Sequence, residues 1–347
     1  MITRTDSQWQ IARISEHQPT DWRKQLANAV RDPAELLALL QLDNAQLPAA
    51  LEASKNFALR VPRYFVDLME VGNAQDPLLL QVLPQAAELI EQAGFVSDPL
   101  NEQASNQKPG LIHKYQGRVL LIASGGCAIN CRYCFRRAFP YSENNPGRAD
   151  WTKTLDYIRE DHTIEEVILS GGDPLTLTDS ALGELLEQIA AIGHIQRLRI
   201  HSRLPVVLPD RLTPALIALI SQPRFQTVLV IHANHPREIT PQLAAALSPL
   251  QQRGVTVLNQ SVLLKAINDN VAVLAELSRR LFSIGVLPYY LHLLDKVSGS
   301  AHFDSEETQA LALYRELALA LPGYLLPRLA REEAGKGGKT VLTAPPL

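Results

Sequence analysis

Cysteine is scarce in this chain of 347 residues: only three are present, at Cys127, Cys131 and Cys134. An odd number excludes a framework in which every cysteine forms an internal disulfide. The first ten residues contain no apolar signal segment, and the leucine-rich stretches elsewhere are interrupted by charged residues or proline. We therefore expect a reduced, soluble, cytoplasmic protein with no membrane partner.

An excess of charge of one sign is also lacking, because 33 basic and 36 acidic residues leave a formal net charge of -3. Such a balance provides no basic field for nucleic acid, so we expect no nucleic-acid partner. The hydrophobic content of 46% in 347 residues suffices for one large core with an appended segment, or for two domains. An enzyme that acts on a small molecule is the default expectation.

The three cysteines themselves form the most informative segment, with three residues between the first two and two between the last two. A 4Fe-4S cluster held by three thiolates keeps one iron open for a small molecule. Zinc with His113 as a fourth ligand is an alternative, since closed zinc sites use four protein ligands. A disulfide or a site without metal is a further alternative.

From residue 118 onward, short β-branched runs alternate with amphipathic stretches, one of which begins at Thr240 and Pro241. Continuous apolar strands between helices indicate a parallel sheet buried on both faces. A doubly wound open sheet gives the same pattern, but the marked residues follow strand ends, as in barrels. We predict an α/β fold, a partial (β/α)6 barrel, with strands at 118–123, 166–170, 197–202, 227–232, 255–259 and 286–292.

The region before the first of these strands carries helical patterns, for example at residues 33–40 and 83–90. We therefore predict an N-terminal helical extension over residues 1–105, packed on a barrel over residues 106–330. A C-terminal segment over residues 331–347 completes the predicted domain organisation.

The second predicted strand ends at Gly171 and Gly172, which Asp173 follows. Glycines at such a point let a ligand approach the backbone, whose N–H and C=O groups can bind a polar edge. A tight turn from strand to helix also requires glycine, so the motif alone leaves both interpretations open.

Lys339 lies in a glycine-rich tail. A lysine amine condenses with aldehyde cofactors, and neighbouring glycines allow the backbone to pass close to a flat ring and its phosphate. A flexible, solvated terminus has the same composition. Lys339 is therefore a candidate Schiff-base lysine, and the rest of the chain decides between the two interpretations.

The cysteine spacing resembles that of radical S-adenosylmethionine enzymes, and the chain from about residue 62 to residue 340 resembles the lysine 2,3-aminomutase family among them. The resemblance implies the radical S-adenosylmethionine type of partial barrel, a 4Fe-4S cluster, S-adenosylmethionine and pyridoxal 5'-phosphate. The matching segments are residues 61–65, 113–120, 127–137, 170–175, 234–240, 259–265, 288–290 and 337–340.

The resemblance also implies a role for each matched site residue. Arg137 lies beside the matched Arg136 and has the same chemistry, and an aspartate such as Asp295 can instead cap a turn. The implied roles are cluster ligation by Cys127, Cys131 and Cys134; S-adenosylmethionine binding by Gly171, Gly172 and Asp173; pyridoxal phosphate binding by Lys339, Tyr115, Arg118 and Gln260; and substrate binding by Arg136, Asp295 and Glu332.

Three features depart from the free-lysine enzymes of the family. Glu332 stands where they carry an aspartate, Ala138 where they carry an arginine, and the chain ends at Leu347, without their longer C-terminal extension. The shorter form with this ending resembles the branch of the family that makes β-lysine for elongation factor P. That resemblance implies an isomerase that converts (S)-α-lysine to (R)-β-lysine, with a flavodoxin- or ferredoxin-type electron donor and a functional link to an elongation factor P lysyl ligase.

Other functions share some of these motifs. A catabolic free-lysine or glutamate 2,3-aminomutase has the same cofactor residues, although Asp295 and Glu332 disfavour glutamate because like charges would meet. A radical enzyme without pyridoxal phosphate would tolerate the loss of Lys339. An electron carrier or a zinc module would bind metal without cleaving S-adenosylmethionine.

Overall fold

The computed structural model describes residues 21–144 and 151–343, and these contain one ten-stranded sheet whose strands follow each other in chain order. Parallel pairing runs without interruption from β3 to β9, and antiparallel strands flank it at both ends. The strands are β1 (Asn106–Lys108), β2 (Leu111–Tyr115), β3 (Arg118–Ser124), β4 (Glu166–Gly171), β5 (Arg197–Ser202), β6 (Gln226–His232), β7 (Thr256–Val262), β8 (Leu287–His292), β9 (Arg328–Arg331) and β10 (Thr340–Val341).

The six predicted strands correspond to β3 through β8, so the prediction of an α/β fold with a partial barrel is confirmed. A seventh parallel strand, β9, was missed. It directly follows Pro327 and has only four residues, Arg-Leu-Ala-Arg. A strand of this length is too short to show a periodic pattern. The sheet continues beyond it, because Thr340 pairs with Arg331.

Helices connect the strands and cover the outside of the sheet. Thr178, Thr213 and Thr240 each accept a hydrogen bond from a backbone N–H in the first turn of the helix that follows, which explains why these helices begin where they do. The helices are α1 (Trp22–Ala27), α2 (Pro33–Leu39), α3 (Leu47–Asn56), α4 (Arg63–Val66), α5 (Tyr141–Asn144), α6 (Trp151–Glu160), α7 (Asp179–Ala190), α8 (Leu204–Val207), α9 (Pro214–Ile220), α10 (Pro241–Gln252), α11 (Val271–Ser283) and α12 (Glu307–Ala320).

The N-terminal helices share one hydrophobic core with the barrel. Val30, Leu36 and Phe65 are fully buried in the same cluster as Leu198 of β5 and Leu229 of β6. The predicted helix at 83–90 is wrong in extent, because only Ala86–Leu89 form a short 3-10 turn. Buried tertiary contacts of Glu88 with two arginines of the cysteine segment override the helical pattern there.

No helix among the described residues is long and apolar enough to cross a membrane.

Candidate active site

A cavity of about 820 Å³ opens at the C-terminal ends of the parallel strands. In parallel α/β folds the residues that follow these strand ends meet at one face, which is where ligands bind. The structure brings all thirteen predicted site residues to the wall of this cavity: Tyr115, Arg118, Cys127, Cys131, Cys134, Arg136, Gly171, Gly172, Asp173, Gln260, Asp295, Glu332 and Lys339.

The cysteine segment follows β3 and is held in place by the N-terminal extension. Ala128 and Ile129 are buried in the main core, and the side chain of Arg132 is fully buried. Both edges of the Arg132 guanidinium are used, by the Glu88 carboxylate at 2.8 and 2.5 Å and by the carbonyl of Phe57 at 2.7 Å. The extension therefore fixes the backbone that presents the three thiols.

The three cysteines are free thiols that lie near one another. Burial, with Cys134 and Asp173 nearby, raises the pKa of Cys127 well above its usual value. Burial together with Cys131 raises the pKa of Cys134 to about 11. Three thiolates at this position need a compensating positive charge, which bound iron provides.

The contacts of His113 bear on the alternative zinc site. Across the described ranges, no group of three or more His, Cys, Asp or Glu side chains that could hold a metal ion is found. His113, the alternative zinc ligand, is engaged elsewhere, because its Nδ1 lies 2.9 Å from the hydroxyl of Tyr157. Two further polar atoms in the cavity wall, Nε of Arg203 and Nε2 of His201, are buried and have no partner among the described residues, as expected where a polar group binds.

The glycine pair is explained by its contact with the cysteine segment. A Cβ atom on Gly171, whose φ is +116°, would lie 2.6 Å from the carbonyl oxygen of Ser124. A Cβ atom on Gly172 would lie 2.4 Å from the carbonyl oxygen of Gly126. Glycine is therefore required at both positions for the two backbones to approach, whatever they bind.

The carboxylate of Asp173 accepts its full number of hydrogen bonds from donors within the protein. Its carboxylate accepts hydrogen bonds from the Ser202 hydroxyl and from the backbone N–H groups of Leu175, Arg203 and Leu204, at 2.8 to 3.0 Å. Four donors fill the acceptor positions of a carboxylate. Asp173 thus orders the turns after β4 and β5, and its direct contact with S-adenosylmethionine stays a prediction.

Lys339 and Glu332 form an ion pair in the cavity, with Nζ 3.1 Å from Oε2. The other carboxylate oxygen, Oε1, accepts from the Tyr115 hydroxyl at 2.8 Å and lies 3.5 Å from Nζ of Lys114. Burial alone would raise the pKa of Glu332, but Lys339, Lys114 and Tyr115 together lower it to about 2. Glu332 is therefore ionised. The guanidinium of Arg118 lies over the ring of Tyr115, 4.6 Å from the ring centre.

Asp295 follows β8 and faces the same cavity. Among the described residues its carboxylate has no hydrogen-bond or ion-pair partner, so it does not cap a turn. Burial, reinforced by the charge of Glu332 and partly offset by Lys339, raises its pKa to about 7. A half-buried cavity carboxylate without a partner is a binding position for a cation.

Arg136 is held by a glutamate that the sequence did not reveal. Its Nε and Nη2 bond the two carboxylate oxygens of Glu102 at 2.7 and 2.8 Å, and both side chains are buried. Its Nη1 lies 3.2 Å from the hydroxyl of Ser170. The neighbouring Arg137 instead pairs with Glu88 at 2.7 Å, so of the two arginines Arg136 is the one attached to the glycine turn.

Among the cavity residues that sequence reasoning missed are Glu102, Lys114 and Arg203. Lys114 bridges two glutamates of the cavity, since its Nζ lies 3.7 Å from Glu102 and 3.5 Å from Glu332. Lys114 falls in a segment that matches the family, which was the one available signal. Glu102 and Arg203 carry no local motif, and only the fold brings them to the site.

Comparison with known proteins identifies the family. The pattern of the Radical SAM superfamily matches residues 121–244. The chain is 52% identical to an L-lysine 2,3-aminomutase from Escherichia coli strain K12, over 93% of this chain and 94% of the relative. It is 49% identical to the Haemophilus influenzae protein of the same name, over 92% and 95%.

A third relative, the L-lysine 2,3-aminomutase of Clostridium subterminale, is 35% identical over 94% of this chain and 79% of the relative. The predicted resemblance is thus confirmed by alignments that extend far beyond the cysteine motif. The chain belongs to the lysine 2,3-aminomutase family of radical S-adenosylmethionine enzymes.

Proposed function

We propose that this protein is a lysine 2,3-aminomutase, an isomerase that converts (S)-α-lysine to (R)-β-lysine with a 4Fe-4S cluster, S-adenosylmethionine and pyridoxal phosphate. The observation that carries the proposal is the meeting of Cys127, Cys131 and Cys134 with Lys339 and the unpartnered carboxylate of Asp295 in one cavity. A radical source, an amine for an aldehyde cofactor and a cation-binding carboxylate are the parts that this reaction requires.

The residues present fit the three groups. Cys127, Cys131 and Cys134 would hold the cluster, and Lys339 would hold pyridoxal phosphate. When bound, the cluster and S-adenosylmethionine supply a radical that removes hydrogen from the substrate, and pyridoxal phosphate supplies an aldehyde for the migrating nitrogen. The protein's own contribution is to place and orient the substrate and to exclude water.

Lys339 pairs with the ionised Glu332. The other carboxylate oxygen of Glu332 contacts Tyr115 and Lys114, and Glu332 lines the cavity. A carboxylate that pairs with a lysine amine at this position can bind the distal ammonium of a substrate lysine in the same way.

The substrate is proposed to bind at both of its ends. Arg136 presents a planar guanidinium, fixed by Glu102, to the substrate carboxylate. Asp295 and Glu332 receive the distal ammonium. Fixing both ends restricts the substrate, and such restriction lowers the entropic part of the barrier.

Charge in the cavity favours lysine over glutamate. The pKa of Asp295 is raised to about 7, in part by the negative charge of Glu332. The side-chain carboxylate of glutamate would add a further negative charge at this place, whereas an ammonium is attracted to the carboxylates that are present. A lysine analogue without the distal amine is expected to be rejected as well, since it leaves buried charge unpaired.

The fate of the product is a further part of the proposal. The resemblance of the sequence to the elongation factor P branch of the family supports the assignment of β-lysine to the modification of that factor, through a lysyl ligase. A flavodoxin- or ferredoxin-type protein is proposed as the electron donor. Incubation of the enzyme with α-lysine, the ligase and elongation factor P should give a factor that releases β-lysine on acid hydrolysis; release of α-lysine alone would contradict this fate.

Anaerobic reconstitution tests the reaction itself. Protein loaded with iron and sulfide is incubated with α-lysine, S-adenosylmethionine, reductant and pyridoxal phosphate, and each component is omitted in turn. We expect β-lysine, identified by chromatography against a standard, only in the complete mixture. Product formation without pyridoxal phosphate, or its absence from a complete mixture with a loaded cluster, would contradict the proposal.

A further inference from the structure

Arg203 makes direct contact with one of the three cysteines. It follows β5, and its Nη1 lies 2.7 Å from Sγ of Cys131 and 2.7 Å from the hydroxyl of Tyr133. The residue is 7% exposed. Arginines also lie near the other two cysteines, but of the described arginines near the three cysteines only Arg203 donates a side-chain hydrogen bond to a cysteine sulfur.

The guanidinium of Arg203 is held in this place by several elements. Its Nη2 donates to Oε1 of Gln81 at 2.6 Å and to Oε2 of Glu238 at 3.1 Å. The rings of Phe65 and Tyr133 lie 5.4 and 5.7 Å from its central carbon. A long side chain normally loses much rotamer entropy when it is fixed, and here packing from the N-terminal extension and from the loop after β6 offsets that loss.

A fixed cation on a cluster ligand has a defined electrostatic effect. Reduction adds one electron to the cluster and increases its negative charge, so a positive group at the sulfur stabilises the reduced form more than the oxidised form. The hydrogen bond to sulfur acts in the same direction. Glu238 lies on the far side of the guanidinium and reduces this effect without removing it, because Cys131 is the closer group.

We propose that Arg203 is a positioning residue that raises the reduction potential of the cluster held by Cys127, Cys131 and Cys134. One electron passes from a low-potential one-electron donor to the cluster, and no bond forms or breaks at Arg203. The inference rests on the cluster assigned under the proposed function, but not on the identity of the substrate. It also gives the N-terminal extension a role in the chemistry, since Gln81 and Phe65 hold the arginine.

The test is a redox titration of the reconstituted protein without S-adenosylmethionine, followed by electron paramagnetic resonance of the reduced cluster. Arg203→Gln removes the charge, and we expect its equilibrium constant for one-electron reduction to fall at least about tenfold, a shift of about 59 mV to more negative potential. Arg203→Lys keeps a charge without the planar fork, and we expect a smaller shift in the same direction.

Arg237→Gln is the matched control. Arg237 lies beside Glu238 and pairs with Asp76 at 2.6 Å, so the substitution removes the same charge from the same region without touching a cysteine. We expect its potential to equal that of the wild type. An equal shift in Arg237→Gln and Arg203→Gln would show an effect of net charge alone and would overturn the inference.

Iron and sulfide contents separate the possible failures. If the wild-type protein holds no cluster, the proposed function fails, and with it the premise of the inference. If Arg203→Gln holds a full cluster whose potential is unchanged, only the role of Arg203 is overturned. If both Arg203 variants lose the cluster, Arg203 serves cluster assembly and not the reduction potential, and the inference is overturned. If only Arg203→Gln loses the cluster, Arg203→Lys decides: a shift to more negative potential supports the inference, and an unchanged potential overturns it.

Discussion

Nζ of Lys339 and Oε2 of Glu332 lie 3.1 Å apart, on the segment that follows β9, and face the same cavity as the three cysteines. The contact joins the proposed cofactor lysine to a proposed substrate carboxylate seven positions before it. Each side chain therefore depends on the other for charge balance. A change at either side chain is therefore expected to affect the other.

Lys339→Ala is expected to abolish pyridoxal phosphate binding while keeping the cluster. The cofactor loses the amine that holds its aldehyde, whereas the cysteines are on a different segment, after β3. The measurement is the visible absorption of bound pyridoxal phosphate together with the iron content. Lys336→Ala is the control, because Lys336 lies in the same tail but pairs with Glu333 and is 59% exposed. Normal turnover of Lys339→Ala would remove this lysine from the reaction.

Asp295→Asn is expected to lower kcat/KM for lysine by at least about 30-fold, which corresponds to about 2 kcal/mol of lost interaction with a buried ammonium. Iron content and bound pyridoxal phosphate should stay at wild-type levels, since Asp295 contacts neither proposed ligand set. The control is Asp304→Asn, which removes a carboxylate that faces Lys296, outside the cavity. Near-normal lysine turnover by the Asp295 variant would exclude it from substrate binding.

The apparent KM for lysine should depend on pH through Asp295. Its pKa is raised to about 7, so the carboxylate is ionised above this pH and protonated below it. A cationic ammonium binds the ionised form, and KM should therefore rise as the pH falls below 7, by up to about tenfold per unit. Steady-state kinetics measure this profile. The slope should vanish in Asp295→Asn, and an equal slope in that variant would assign the titration to another group.

Glu102→Gln is expected to raise KM for lysine about tenfold, or about 1.4 kcal/mol, with the cluster retained. Arg136 loses the carboxylate that fixes two of its three nitrogens, and its orientation toward the substrate is relaxed. Glu165→Gln, which breaks a surface pair with Arg197, should leave KM unchanged. Tighter lysine binding in Glu102→Gln would show instead that Glu102 competes with the substrate carboxylate for Arg136.

The sequence allowed the prediction of features that depend on local pattern. The six apolar runs became β3 through β8, and Thr240 with Pro241 marked the first turn of α10, because strand burial and helix capping leave signals within a few residues. The seventh parallel strand, Arg328–Arg331, has too few residues for such a signal. The predicted helix at 83–90 is overridden by the buried pairing of Glu88 with Arg132 and Arg137.

The candidate site was predictable where residues lie in motifs and not where the fold alone assembles them. All the motif residues reach the cavity, yet Asp173 proves to be saturated by internal hydrogen bonds. Glu102 meets Arg136 across 34 positions of sequence, and Arg203 meets Cys131 across 72. Contacts at such separations follow from strand order, which no local pattern contains.

The central claim is that this cavity moves the α-amino group of lysine to its β-carbon. The most direct measurement is anaerobic turnover of lysine labelled with ¹⁵N at the α-amino group, with the isotope located by nuclear magnetic resonance. The account predicts β-lysine that carries the label on its β-carbon and no labelled ammonia. Unchanged α-lysine in a mixture with a fully loaded cluster and cofactor, or β-lysine without the label, would contradict it.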